Sequence, residues 1–208
     1  MNQRNFDKEA ATWDENPARL KVGTDIADAL AKAVRWSAEM DIFDFGCGTG
    51  QQTLRLAPAV GSVTALDSSE GMLDVLRRKA ASLGLANVRA ANSATYDWAG
   101  NRGRFDAGLC SLALHHIEDV DALLVRFRDL LKPGGSLCLV DLDSDGGEFH
   151  TDNTGVFHFG FERAALQRTL TALGFGAIQC GTATSVTKPT AGGALRTFPL
   201  FLIVARKG

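Results

Sequence analysis

The sequence predicts an α/β fold: a doubly wound, mostly parallel sheet with helices on both faces and late strands at the C-terminus. Two observations predict it. Five short apolar runs, at 41–45, 62–66, 88–91, 105–112 and 136–142, are separated by segments of helical period. Alternation of this kind favours parallel pairing, because each crossover needs a dozen or more residues and lays its helix on a sheet face. The first run, moreover, ends in glycines at alternate positions, GCGTG at 46–50, just before a helix opens.

The elements follow in order. Residues 18–38 place Leu20, Ile26, Leu30, Ala33 and Val34 at helical spacing among lysines, aspartates and alanines, and alanine raises the intrinsic propensity. Asp41–Phe45 is the first strand, Gln51–Ala59 a helix ended near Pro58, and Ser62–Leu66 a second strand stopped by Asp67. SSEGMLDVLRRKA starts a helix on Ser68 or Ser69, with Met72, Leu73 and Leu76 apolar. Val88–Ala91 and Phe105–Leu112 are strands, and Val120–Leu131 is a helix with Leu123, Leu124, Phe127 and Leu130 on its apolar side. Lys132-Pro133-Gly134-Gly135 reads as a turn into the strand Ser136–Leu142. A helix over 161–173 and strands over 175–181 and 198–204 complete the set, with TSVTKPTAGG at 184–193 read as a solvated loop between the last two. Residues 143–160, polar and glycine-rich, follow the carboxyl end of the fifth strand, where open sheets bind ligands, and read as a substrate loop or lid.

The 208 residues suit a single domain, with 1–38 as an N-terminal helical cover and 143–160 as the lid. A net charge of −2 without a basic run argues against a nucleic-acid partner. Cys47, Cys110, Cys138 and Cys180 lie dozens of residues apart without a C-x-x-C pair, and read as buried free thiols of a reducing compartment. Neither a signal segment nor a membrane-length apolar run occurs, so the expectation is a cytoplasmic protein.

Between a strand and a helix, Gly46, Gly48 and Gly50 allow a tight turn and close approach of a ligand to free N–H groups. The absence of a following Lys-Ser or Lys-Thr argues against a triphosphate cradle, and G-x-G-x-G departs from the G-x-G-x-x-G of dinucleotide sites. Asp67 ends the second strand, where a carboxylate can accept both ribose hydroxyls of an adenosine; this points to adenosine rather than to one cofactor.

DFGCGTG at 44–50 followed by ALDSSEGML at 65–73 resembles the class I S-adenosylmethionine-dependent methyltransferases, which have a Rossmann-like fold. FDAGLCSLALHHIEDV at 105–120 and LLKPGGSLCLVD at 130–141 are similar to the next two signature segments, and FDKEAATWDENPARL at 6–20 to the opening of small-molecule members. The resemblance implies that Asp44, Gly46, Cys47, Gly48 and Gly50 approach the methionine part of S-adenosylmethionine, that Asp67 holds the ribose, and that Ser68 and Met72 flank the adenine. Ser111 and His116 would face the reacting end. Where many members carry an acid for the adenine amine, this chain has Asn92-Ser93-Ala94; Ser93 takes the matching place, and a backbone contact or Asn92 would serve instead, with Asp97 too far along.

The expected activity is methyl transfer from S-adenosylmethionine, with S-adenosylhomocysteine as product, to a small organic acceptor. His115 and His116 are the candidates for a catalytic base, because imidazole accepts a proton at neutral pH; packing of the loop is the competing role. Phe6, Trp13, Arg19, His150 and His158 are candidate substrate contacts, although Phe6 and Trp13 equally suit anchoring of a terminal helix. Asp141, Asp143, Asp145 and Gly146 fit the opening of a calcium loop, but position twelve is Asp152 and the preceding segment is a strand, so no metal is expected; spacing gives no zinc site either. The alternatives are a protein or nucleic-acid methyltransferase, a non-catalytic S-adenosylmethionine-binding regulator and, more distantly, a dehydrogenase.

Overall fold

The computed structural model describes residues 6–190 and 192–208; residues 1–5 of the expected N-terminal cover and residue 191 of the 184–193 segment lie outside the described residues. One sheet is built from β1 (Asp41–Phe45), β2 (Ser62–Asp67), β3 (Val88–Asn92), β4 (Phe105–Ser111), β5 (Leu131–Leu142), β6 (Phe175–Pro189) and β7 (Leu195–Lys207). Their order is β3-β2-β1-β4-β5-β7-β6. The first five strands are parallel, and β7 runs antiparallel to both β5 and β6.

Successive residues of a strand point to opposite faces, and here the two faces are two cores. Phe43 joins Phe105, Phe127 and Leu170 on one side, against α5 (Val120–Leu130) and α6 (Arg163–Ala172). Its neighbour Ile42 joins Ile26, Leu30 and Leu56 on the other, against α2 (Pro17–Ala33) and α3 (Gln51–Leu56). The remaining helices are α1 (Phe6–Glu9), followed by a 3-10 segment Ala10–Glu15, and α4 (Glu70–Ser82). Of the two serines before α4, Ser69 is the cap, accepting from Met72 N at 3.1 Å.

Five local expectations are corrected. α2 stops at Ala33 rather than at residue 38, because Val34 is extended and residues 34–40 are needed to bring the chain back to β1. The Lys132–Gly135 segment stays within β5 as an irregularity, its register against β4 shifting between Phe105 and Ala107. Residues 184–189 belong to β6, with Val186 opposite Phe198 and Thr187 opposite Thr197. Their polar character reflects an edge strand with one solvated face, not a loop. β6 and β7 are both longer than expected. Cys180, on that same edge strand, is exposed, whereas Cys47, Cys110 and Cys138 are buried free thiols. No helix among the described residues is long and apolar enough to cross a membrane.

Candidate active site

At the carboxyl end of β1 the chain turns through Gly46, Gly48 and Gly50 with φ of +68°, +53° and +88°, conformations that disfavour residues carrying a Cβ. A Cβ on Gly46 would lie 2.3 Å from that of Ala113, whereas Gly48 has no neighbour in that direction and faces open space. Asp67 ties this loop to β2: its carboxylate accepts Gly48 N at 2.8 Å and Ser69 N at 2.9 Å. Burial raises the pKa of Asp67, and the backbone N–H bonds oppose that shift. Asp44, buried beneath the loop, accepts from Thr53 Oγ1 at 2.6 Å. Burial pushes Asp44 up to about 7, with the Thr53 hydroxyl opposing and the charge of Asp67 adding to it. Burial also pushes the Cys47 thiol well above its ordinary value, which makes it a packing group rather than a nucleophile.

The N-terminal segment is fastened over this loop by carboxylates. Asp14 accepts from Thr49 Oγ1 at 2.9 Å and Gln51 Nε2 at 3.2 Å and pairs with Lys79 Nζ at 2.5 Å. Burial opposes ionisation of Asp14, but these three partners outweigh it and lower its pKa. Asp7 accepts from Ser69 Oγ at 2.6 Å and Gly71 N at 2.9 Å, which sets α1 on the start of α4. Phe6 lies edge-on to Trp13 and to His116, with ring centroids 5.9 and 5.2 Å away, and the Arg19 guanidinium stacks 3.9 Å over Trp13.

A second wall is built of histidines. After β4 the backbone passes through Leu112 at φ +54°, a left-handed conformation for a branched residue, into a short 3-10 turn, Leu114–His116. His115, 2% exposed, donates Nδ1–H to Asp141 Oδ1 at 2.7 Å, and Asp141 is fully buried at the end of β5. His116 donates Nδ1–H to the Gly155 carbonyl at 2.7 Å. The 143–160 loop docks here: Phe157 N and His158 N donate to His115 O at 2.9 and 3.2 Å, and His150 Nε2 lies 3.2 Å from His115 Nε2. His158 instead turns its ring to the Ile117 carbonyl, at 2.9 Å.

The two walls border one cavity of about 760 Å³. It gathers Asp44, Gly46, Cys47, Gly48, Ser111 and His116, and with them Trp13, Arg19, His115 and His150. Gly50, Asp67, Ser68, Met72, Ser93, Ala94, Phe6 and His158 do not line it. Met72 is 2% exposed and packed in the core. At the end of β3, Ser93 N donates to Asp67 O at 2.9 Å, Ala94 N donates to Asn92 Oδ1 at 2.9 Å, and the Asn92 amide reaches Glu70 at 2.9 Å. The N–H groups of Ser93 and Ala94 and the Asn92 amide, expected near adenine, thus have partners within the protein.

Three participants escaped sequence reasoning. Asp14 gave no signal. Lys188 was assigned to a loop, but from β6 it lines the cavity with its ammonium 3.9 Å over the Phe149 ring, and burial lowers its pKa. Asp141 carried a signal that was read otherwise: an acid inside the apolar run LCLVDL needs a buried partner. The three aspartates of the calcium-like pattern in fact go three ways. Asp141 meets His115, Asp143 takes Arg163 bidentately at 2.6 and 2.7 Å, and Asp145 accepts Gly147 N and Phe149 N at 2.9 and 2.8 Å.

The residues fit the methionine end of S-adenosylmethionine: the left-handed glycine cradle opens on the cavity at Gly48, and Asp44 lines the same cavity beside it. Comparisons agree with this geometry. Residues 42–135 match the family model of a methyltransferase domain. An uncharacterised methyltransferase of Schizosaccharomyces pombe is 34% identical over 58% of this chain and 48% of its own length. A demethylmenaquinone methyltransferase of Clavibacter sepedonicus is 31% identical over 67% of this chain and 57% of its own, and a ubiquinone biosynthesis O-methyltransferase of Shewanella halifaxensis 29% identical over 62% and 57%. The match therefore spans about half the length of these relatives. Among solved structures, the YcgJ protein of Bacillus subtilis superposes with a TM-score of 0.73 at 19% identity, covering 88% of this chain and 97% of its own, which shows the shared fold. Sheet order, glycine loop and family match lead to one conclusion: the chain carries a class I S-adenosylmethionine-dependent methyltransferase domain.

Proposed function

We propose that the chain transfers a methyl group from S-adenosylmethionine to a small organic acceptor. One observation carries this reading: one cavity of about 760 Å³ is lined both by the glycine cradle and by three histidines. That volume lies within the range of small-molecule sites, about 300–1,000 Å³. The names of the quinone-related relatives support an organic small-molecule acceptor. The chain is read as one domain, with residues 1–38 as cover and 143–160 as lid.

When bound, S-adenosylmethionine supplies an activated methyl group on a sulfonium. Asp44 and the Gly46–Gly50 loop hold the methionine part, and Asp67, at the end of β2 beside the cavity, the ribose hydroxyls, with Ser68 on the adenine side. Ser111 and His116 face the reacting end. Trp13, Arg19 and His150 form the acceptor's surroundings and exclude water. The histidine wall receives the acceptor's nucleophilic atom and draws its proton away, and orientation contributes the larger share of the rate, as it does when reactants are held in near-attack geometry.

The test is calorimetric titration with S-adenosylmethionine, S-adenosylhomocysteine and, as a control, NAD. A screen of phenolic, amine and carboxylic acceptors for S-adenosylhomocysteine release follows. Micromolar binding of the first two, no response to NAD, and turnover with one acceptor class are expected. Binding without turnover on any acceptor would instead favour a regulatory S-adenosylmethionine-binding protein.

A further inference from the structure

We propose that His115, His116 and His150 form a site for a divalent cation of the zinc class, its remaining coordination position facing the cavity. Their candidate ligand nitrogens all lie within 4.8 Å of one another, although residues 115 and 150 are separated by 35 positions in the chain. The pair His115 Nε2 and His150 Nε2 is 3.2 Å apart. Two imidazole nitrogens about 2.0–2.1 Å from a tetrahedral zinc ion lie about 3.3 Å apart, so this pair already has the separation of a ligand pair.

Orientation favours the same reading. A histidine that binds a metal through one nitrogen generally donates the other N–H to a carboxylate or carbonyl, which fixes the tautomer and the ring. His115 donates Nδ1–H to the buried carboxylate of Asp141, and His116 donates Nδ1–H to the carbonyl of Gly155. With Nδ1 of each ring turned to an acceptor, Nε2 is the nitrogen each ring presents to a metal. Asp141 also accepts His115 N at 3.3 Å and Leu142 N at 2.8 Å, so the carboxylate that orients His115 is itself held in place.

Three imidazoles select borderline metals such as zinc, cobalt(II) or nickel over magnesium and calcium, which demand oxygen ligands. Three protein ligands and one open position describe a reactive rather than a purely structural site. All three histidines line the cavity that holds the glycine loop. On the methyl-transfer reading, the open position takes an oxygen or nitrogen of the acceptor and weakens its bond to hydrogen, so that with the cation bound the proton leaves to solvent rather than to the ligating histidines. The cation site itself is independent of that reading.

The experiment uses the untagged chain, stripped with a chelator and re-equilibrated with zinc sulfate, with metal content measured after removal of excess. Cobalt(II) loading is followed by its visible absorption, which is intense for tetrahedral sites. About one zinc per chain is expected, together with a thermal shift upward on loading. Loss of stoichiometric zinc is expected in both His116→Asn and His150→Asn, each checked by circular dichroism for retained fold. Asp141→Asn, a positioning change, is expected to weaken zinc binding about 10–100-fold. Less than about a tenth of an equivalent in the wild type, or unchanged zinc content in folded His116→Asn and His150→Asn, would overturn the proposal. S-adenosylmethionine binding, measured separately by calorimetry in metal-free protein, separates failure of this site from failure of the methyl-transfer reading.

Discussion

The two walls of the cavity are built on opposite plans. The glycine wall is local: Asp44 to Asp67 covers β1, its loop, α3 and β2, and the hydrogen bonds that shape the loop come from Leu66 and Asp67 on the adjacent strand. The histidine wall is assembled from the end of β4, the end of β5 and the 143–160 loop, and its key contacts join residues 26 to 41 positions apart. A wall made by backbone conformation at glycines tolerates little change. A wall made by side chains on separate segments can be altered one segment at a time, and that lets one fold serve many acceptors.

The sharpest test of this division is Asp67→Ala. The carboxylate fixes Gly48 N in the loop and Ser69 N at the start of α4, and hydrogen bonds to a charged group contribute about 1.5–3 kcal/mol each. Calorimetry is expected to show S-adenosylmethionine affinity reduced by roughly 100-fold or more; retention of wild-type affinity would break the assignment of that wall to the cofactor. On the other wall, His116→Asn is expected to cut turnover by about 100-fold while cofactor affinity moves by less than about threefold. A variant equally impaired in both readouts would erase the comparison.

A smaller effect concerns the latch between cover and glycine loop. Asp14→Ala removes the partner of Thr49, Gln51 and Lys79, and is expected to speed amide hydrogen exchange over residues 6–16 and to weaken cofactor binding about tenfold. pH offers a further test. The fold favours protonated Asp44, so the stability it confers is full below pH 3.8 and is lost as pH rises through about 7. Asp44→Asn should flatten that dependence in denaturant titrations between pH 4 and 8. The least effect is expected from Arg163→Gln, which opens the pair with Asp143 at the root of the 143–160 loop; both side chains are about a quarter exposed, and a loss of about 0.5–1 kcal/mol should appear as a small fall in Tm.

The same division explains what could be read beforehand. β1, β2, β4 and the glycine loop were legible because apolar runs, glycines and caps act over a few residues. Ser69 as the cap of α4 and the strand end at Asp67 are of this kind. The extent of β6 was not legible, since an edge strand with one wet face has the composition of a loop until Val186 finds Phe198. The Asp141–His115 pair was equally hidden. No periodicity connects two residues brought together by the parallel register of β4 and β5. Asp14 is the extreme case, a polar residue in a short 3-10 turn whose three partners lie 35 or more positions away.

β7 has a consequence for how the molecule is made. It occupies an interior place in the sheet, pairing with β5 from Ser136 to Leu142 and with β6, and it buries Phe198, Leu200, Phe201 and Ile203. A nascent chain whose synthesis has not passed residue 195 therefore exposes the long edge of β5 and the apolar surface meant for those side chains. The glycine wall can be complete while the chain is still on the ribosome. The sheet that supports the histidine wall closes only after translation has delivered β7, which lies between β5 and β6.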